Sequence, residues 1–211
     1  MYLPAHFAQH DAPLLHALMR EHPLATLVTM QDGEPSADHV PLEFDVATQT
    51  LRGHVARANP LWRAAGGPPV LAVFCGPQAY VSPSWYASKA TTHKVVPTWN
   101  YTVVHARGTL RAVEDAPWLH GLVSRLTDHH EAPRDTPWAV SDAPDDYVQQ
   151  MLRAIVGIEI TVASLVGKWK ISQNRSEADR LGVAAGFAAG GNGLQTMAAL
   201  VREGDALKPS P

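Results

Sequence analysis

The sequence of 211 residues has one cysteine, Cys75, so no disulfide can form within the chain. Cys75 sits in the apolar run 70–75, which predicts a buried, unreactive thiol and a reducing, cytoplasmic setting. Charge is scarce as well. Asp, Glu, Lys and Arg make up 18% of the residues, below the usual globular share. That scarcity fits a chain that covers part of its surface in an oligomer. The formal net charge of −3 supplies no general attraction to nucleic acid or to a membrane surface. No segment approaches the ~20 consecutive apolar residues that span a bilayer. The opening Met1-Tyr2-Leu3-Pro4 has neither the basic region nor the apolar core of a signal peptide. These absences predict a soluble intracellular chain. Its 45% hydrophobic content is enough for a proper core, and its length sets one domain, or one domain with an appendage.

Asp11 and Pro13 open a helix pattern with Leu14, Leu15, Leu18 and Met19 on one face, closed by His22-Pro23. A strand follows over 24–30, and Asp32-Gly33 is a hairpin turn signal. The returning strand puts Val40, Leu42 and Phe44 on one face, and 47–50 turns the chain into a third strand over 51–56. Three strands joined by short turns predict a meander, the start of a β-barrel. The run 70–75 reads as a strand buried on both faces. Alternation over 103–113, a helix opened by Asp115 and Pro117, a further helix over 144–153 and a strand from Ile158 toward Lys168 complete the main pattern. Beyond Ser176 the chain reads as short helices parted by Gly190-Gly191-Asn192-Gly193, with a disordered end.

The stretch 76–111 is the centre of this organisation. It places Tyr80, Trp85, Tyr86, Trp99 and Tyr101 close together and interleaves them with Lys89, His93, Lys94 and Asn100. Aromatics beside amide and cationic donors suit a planar, anionic ligand. The plain alternative is an aromatic hairpin that fills a barrel core. Upstream, Arg57 precedes Asn59, a candidate N-cap, and Pro60, a candidate first helical residue. Free N–H groups at that helix start, with Arg57 beside them, make a natural phosphate cradle, although an ordinary capped helix with a surface arginine reads the same way. The cluster Asp128-His129-His130-Glu131 lacks a ligand pair spaced i, i+4, so no metal is assigned to it. The run 167–175, Gly-Lys-Trp-Lys-Ile-Ser-Gln-Asn-Arg, is the one dense basic-amide patch. A solvated strand end is its bland reading.

The motifs MYLPAHF, GHVARANPLW, GPQAYVSPSWY, VPTWNYTVVHARG and GKWKISQNR, in that order, closely resemble those of the PaiB-like FMN-binding proteins, a family usually labelled as negative transcriptional regulators. The resemblance runs from residue 1 to about 190. It implies a β-dominated α+β chain built as a split β-barrel with peripheral helices, with FMN bound at the interface of a homodimer. It divides the chain into an FMN-binding domain over 1–175 and a C-terminal helical appendage with a flexible tail over 176–211. Carried over by motif position, it places His54, Arg57 and Asn59 near the FMN phosphate, with Ala56 and Ala58 offering backbone. It sets the isoalloxazine near Ser82, Trp99 and Asn100. Lys168, Ser172, Gln173, Asn174 and Arg175 join the site from the same or the partner subunit.

Three functions follow: an FMN-binding regulator, a flavin-dependent oxidoreductase fed by a nicotinamide or another reductant, and a non-catalytic flavin- or haem-handling module. DNA is a partner by the family label alone, since no helix-turn-helix pair or basic arm is legible. No nucleophile–base pair or carboxylate pair is identifiable, so no catalytic residue is named. His105 is a conceivable proton donor, although a strand histidine beside Arg107 is more often a structural hydrogen-bonder.

Overall fold

The computed structural model describes residues 1–191 and 193–204. In chain order the elements are β1 (Ala8–Gln9), α1 (Ala12–Glu21), β2 (Leu24–Gln31), β3 (Glu34–Pro41), β4 (Glu43–Asp45), β5 (Thr50–Ala56), β6 (Val70–Val81), α2 (Lys89–Thr92), β7 (Thr98–Val113), α3 (Ala116–Glu131), α4 (Asp145–Arg153), β8 (Ile155–Lys170), α5 (Glu177–Ala189) and α6 (Gln195–Glu203). Short 3-10 turns fall at Pro60–Ala64, Pro83–Trp85 and Val140–Asp142, among others. The strands follow the order β3-β2-β6-β7-β8-β5-β4, and β1 pairs with β8. No helix among the described residues is long and apolar enough to cross a membrane. Two compact units emerge. The first takes Met1–Glu21, Cys75–His105 and the chain from Val166, and the second takes His22–Phe74 and Ala106–Leu165.

The second unit holds the curled sheet. The β2–β3 turn has positive φ at both central residues, 51° at Asp32 and 85° at Gly33, the conformation that an Asp-Gly pair supplies at least cost. β3 then pairs with β2 along its whole length, from Gln31↔Glu34 to Leu24↔Pro41. Leu42 alone separates β3 from β4, yet these two strands stand at opposite ends of the sheet order. A sheet whose two edges are consecutive in the chain must curl round on itself, and it does so without a closing ladder. This is a split barrel. The expected meander is corrected here: β5 pairs with β4 and β8, not with β3. Pro41 has no N–H to extend a ladder, and Leu42 N donates instead to Pro23 O at 2.9 Å, which turns a corner. Gly53 of β5 passes that corner so closely that a Cβ there would lie 2.7 Å from Pro41 O.

Leu27, Leu42, Leu51, Phe74, Ile158 and Ile160 fill the barrel and are fully buried. Each side chain of this size contributes about 1.5–3 kcal/mol on burial. One buried carboxylate spans the strands. Glu159 accepts from Arg52 Nε at 2.9 Å and from Arg111 Nη2 at 2.7 Å. Burial alone would raise the Glu159 carboxyl, but the hydrogen bonds from Arg111 and Arg52 outweigh it and hold the group below its ordinary range.

In the first unit α5, which follows Ser176, is packed against the Pro83–Trp85 turn. Trp85 stands edge-on to Phe187, with ring centroids 5.1 Å apart. A Cβ at Gly186 would come within 2.3 Å of the Trp85 indole, so only a glycine lets α5 lie this close. Asp179 fixes the same contact from the other side, accepting from Ser88 N at 2.8 Å and from Ser88 Oγ at 2.9 Å. The two helices expected after Ser176 are α5 and α6, parted by the glycine run. The expected disordered end falls on 205–211, outside the described residues.

The structure overturns the expected burial of Cys75, which is exposed. Val70, Ala72 and Phe74 point inward, whereas from Ala79 onward the odd residues do. The inward parity changes across the Gly76-Pro77 step, and Cys75 lies at the change, on the outer side. A hydrophobic run marks a strand without saying where its register slips. Cys75 is therefore expected to react stoichiometrically with a thiol reagent in the native protein. Protection that persists until the protein is denatured would contradict its placement.

Candidate functional site

The residues singled out in the sequence fall into two groups, one in each unit. In the second unit, Asn59 caps the Pro60–Ala64 turn by accepting from Leu61 N at 2.8 Å, and its amide donates to Asp38 at 2.8 Å. The element is a short 3-10 helix instead of an α-helix, Leu61 N is taken by the Asn59 cap, and the amides just before it are engaged as well. Arg57 N donates to Ala154 O and Asn59 N to Ala56 O. The Arg57 guanidinium is engaged too: Nη1 pairs with Glu114, Nε donates to Arg153 O at 2.9 Å and Nη2 to Ile155 O at 3.1 Å. Arg57 ties the end of β5 to the start of β8, and it would have to release these bonds to hold an anion. Ala56 and Ala58 are exposed beside it. His54 faces a cavity bounded by α3 and α4.

In the first unit, β7 begins where β8 ends, and the two ends are joined by side chains. Asn100 is buried, and its Nδ2 lies 2.9 Å from the buried Ser172 Oγ, with its Oδ1 3.2 Å from the same hydroxyl. Ser172 takes a left-handed backbone, φ 67°, which costs a non-glycine residue about 1–2 kcal/mol. Gln173 holds the turn around it: its Oε1 accepts from Ile171 N at 2.8 Å and its Nε2 donates to Trp169 O. Arg175 N closes the turn on Ser172 O at 2.9 Å. Strain at one residue, locked by its neighbours, is what a pre-formed site requires. Ser82 caps the Pro83–Trp85 turn, and Asn174 is exposed.

Three cations gather around this turn. Lys168 Nζ donates to Tyr2 O at 3.1 Å and lies 5.4 Å from the centre of the Tyr101 ring. Lys170 Nζ donates to Thr98 Oγ1 and to Trp99 O. The Arg175 guanidinium lies over the Tyr86 ring, 4.7 Å from its centre. Among the described residues none of the three forms an ion pair. Lys170 is held below its ordinary pKa, first by burial and then by the charges of Lys168 and Arg175. Two buried hydroxyls in the same unit, Tyr86 OH and Thr102 Oγ1, have no hydrogen-bond partner. At the β6–β7 side Tyr80 and Trp99 meet edge-on at 6.3 Å and remain 53% and 50% exposed. Sequence reasoning chose Lys168, counted Tyr86 among the ring-bearing residues, and passed over Lys170 and Thr102 as site residues. The signal for Lys170 was there, since residues two apart on a strand share a face. Nothing in the sequence shows that Tyr86 is left without a hydrogen bond.

Chemically, the cluster can receive an anion. Its positive charges repel one another, only Arg175 acts on a carboxylate, that of Asp179, and a dianion such as a phosphate monoester would relieve both the repulsion and the desolvation. The half-exposed indole and phenol offer apolar faces to a planar ring.

The chain matches the family model described as "Putative FMN-binding domain" over residues 1–164. It is 34% identical to the protease synthase and sporulation protein PAI 2 of Bacillus subtilis, across 87% of both chains. It is 33% identical to an uncharacterised protein of Emericella nidulans, across 99% of both chains. Among solved structures, the FAD and heme binding protein of Mycobacterium smegmatis superposes with a TM-score of 0.60 at 19% identity, covering 87% of this chain and 80% of that one. At that identity the likeness is one of fold.

Replacing Ser172 with Ala would leave the buried Asn100 amide without its partner. A loss of about 1–3 kcal/mol in urea unfolding is expected. An unchanged midpoint and slope would show that the pair does not hold the two strand ends together.

Proposed function

This chain belongs to the FMN-binding domain family, with FMN as its cofactor, and from that premise we propose that Lys168, Lys170 and Arg175 hold the FMN phosphate and that the protein works as a redox flavoprotein. The observation that carries the proposal is the cluster of three cations around the locked Ser172 turn, none of which forms an ion pair among the described residues. The donor set fits FMN. The cations match the charge of a phosphate monoester, Tyr86 OH and Thr102 Oγ1 are buried donors in want of acceptors, and Tyr80 and Trp99 offer faces to a flat ring system. Bound FMN supplies hydride and single-electron chemistry that no side chain can. The chain's own residues bind and orient. Asn100 and Ser172 fix the turn, the cations anchor the charged end, and the open Tyr80–Trp99 side leaves room for a second planar molecule to approach. We place this work in the cytoplasm, where an exposed free thiol such as Cys75 stays reduced, and in a homodimer, which the scarcity of surface charge favours.

A regulatory role is the second reading, and it rests on the name of the B. subtilis relative. If it holds, DNA is a poor direct target. Arg180 of α5 is buried, and Arg202 of α6 stands beside Glu203, so neither helix presents the basic face that duplex binding needs. Steady oxidation of NADH or NADPH by the FMN-loaded protein supports the redox reading. A salt-sensitive, sequence-selective shift of DNA with no turnover would replace it.

The site assignment makes a separate prediction. A hydrogen bond to a charged group contributes ~1.5–3 kcal/mol. Lys170→Ala should therefore weaken FMN by about tenfold to a hundredfold, while riboflavin, which lacks the phosphate, barely changes. Arg57→Ala should lower the melting temperature without selecting against FMN. The reverse pattern would move the phosphate to the Arg57–Asn59 turn.

Titration checks the same point. The lowered pKa of Lys170 belongs to the free site, and a bound phosphate holds the ammonium protonated. Above the second ionisation of the phosphate, at pH ~6, affinity for FMN should be level up to that lowered pKa and fall as the pH rises through it toward the ordinary lysine range. Lys170→Arg should flatten the fall, and a slope that survives the substitution would exclude Lys170 as its source.

A further inference from the structure

The helical insertion between β7 and β8 encloses a space that the FMN assignment above does not use. α3, the Val140–Asp142 turn, α4 and the strand residue His54 surround a cavity of about 290 Å³ in the second unit. Its lining holds no carboxylate, lysine or arginine. Trp138, Tyr147 and Met151 stand on it with 48%, 53% and 40% of their surfaces exposed, an apolar group left open to water. The wall over 131–142 is built rather than loose. Arg134 Nε donates to Glu131 at 2.9 Å, Trp138 N donates to the same carboxylate at 3.2 Å, and Ala139 N donates to Asp142 at 2.9 Å.

His54 is the polar group that does not fit an apolar wall. Its imidazole makes no hydrogen bond among the described residues, and because Nδ1 is shut off from solvent the ring meets the cavity by its other edge. Burial lowers its pKa, so near neutral pH it presents an uncharged imidazole. A neutral imidazole in an apolar cavity can exchange one hydrogen bond with a ligand and repels no uncharged molecule. A dry cavity of ~150 Å³ accepts benzene, and this one is nearly twice that size.

We propose that the α3–α4 cavity is a binding site for a small, uncharged aromatic molecule of one or two fused rings, with His54 as its hydrogen-bonding group. The occupant is neutral because the lining carries no charge to meet one. It is aromatic because Trp138 and Tyr147 offer ring faces at the mouth. It carries one N–H or O–H because the neutral His54 imidazole offers a nitrogen acceptor to the cavity.

The test uses the FMN-loaded full chain and two probes of the same shape, indole and the hydrocarbon indene, followed by calorimetry. Indole is expected to bind at one site per chain and about threefold to tenfold more tightly than indene, the difference that one neutral hydrogen bond makes. His54→Leu should abolish that preference while indene still binds. Val148→Phe, which fills the cavity, should weaken both probes. Absence of binding, an indole preference that survives His54→Leu, or displacement of FMN by indole would each overturn the proposal, the last by making the cavity part of the flavin site. Loss of the phosphate assignment for Lys170 would leave these outcomes untouched.

Discussion

The hydrogen bond between Asn100 and Ser172 is the constraint on which the first unit depends. It joins the opening residues of β7 to the turn that closes β8, and both partners are buried. Ser172 can keep its left-handed backbone because Gln173 bonds the turn from both sides and Asn100 receives the hydroxyl. Lys168 and Lys170 are set by the last residues of β8, and Arg175 by the far side of the same turn. Without that lock, three cations that repel one another would have no reason to stay together.

Their electrostatics set the cluster apart from the ion pairs of the second unit. There Arg52 and Arg111 share Glu159, and Arg57 pairs with Glu114. Such groups hold strands together and leave nothing for a ligand. Around Ser172 none of the three cations forms an ion pair among the described residues, and Lys170 is pushed toward its neutral form; elsewhere in the same unit two hydroxyls, Tyr86 OH and Thr102 Oγ1, are buried without partners. Unmatched charge and unsatisfied donors destabilise a fold unless a ligand completes them. An FMN phosphate is an anion of the right charge, and the half-exposed Tyr80 and Trp99 suit its ring system.

Much of the fold was legible because its signals are local. The Asp32-Gly33 turn, the Asn59 cap before Pro60 and the helix pattern after Asp11 each require a residue type at a fixed position, and each is where the sequence put it. Topology was less legible. Pro41 and Leu42 turn a corner, but nothing in their neighbourhood shows that β5 will pair with β8, more than a hundred residues on, instead of β3. Cys75 was misjudged for a related reason, since the parity of β6 changes at Gly76-Pro77 and a run of apolar residues looks the same on either side. The candidate site was half legible. Residue types named Lys168, Ser172 and Arg175, but whether a charge is matched is a property of space. Arg57 and Lys170 look alike in sequence, and their partners set them apart.

The central claim is that the Lys168–Lys170–Arg175 cluster receives the phosphate of FMN. A crystal structure of the FMN complex tests it most directly. The account predicts phosphate oxygens within hydrogen-bond reach of Lys170 Nζ and the Arg175 guanidinium, with the Arg57 bonds to Arg153 O and Ile155 O intact. A phosphate seated on the Arg57–Asn59 turn, with those bonds broken, would contradict it.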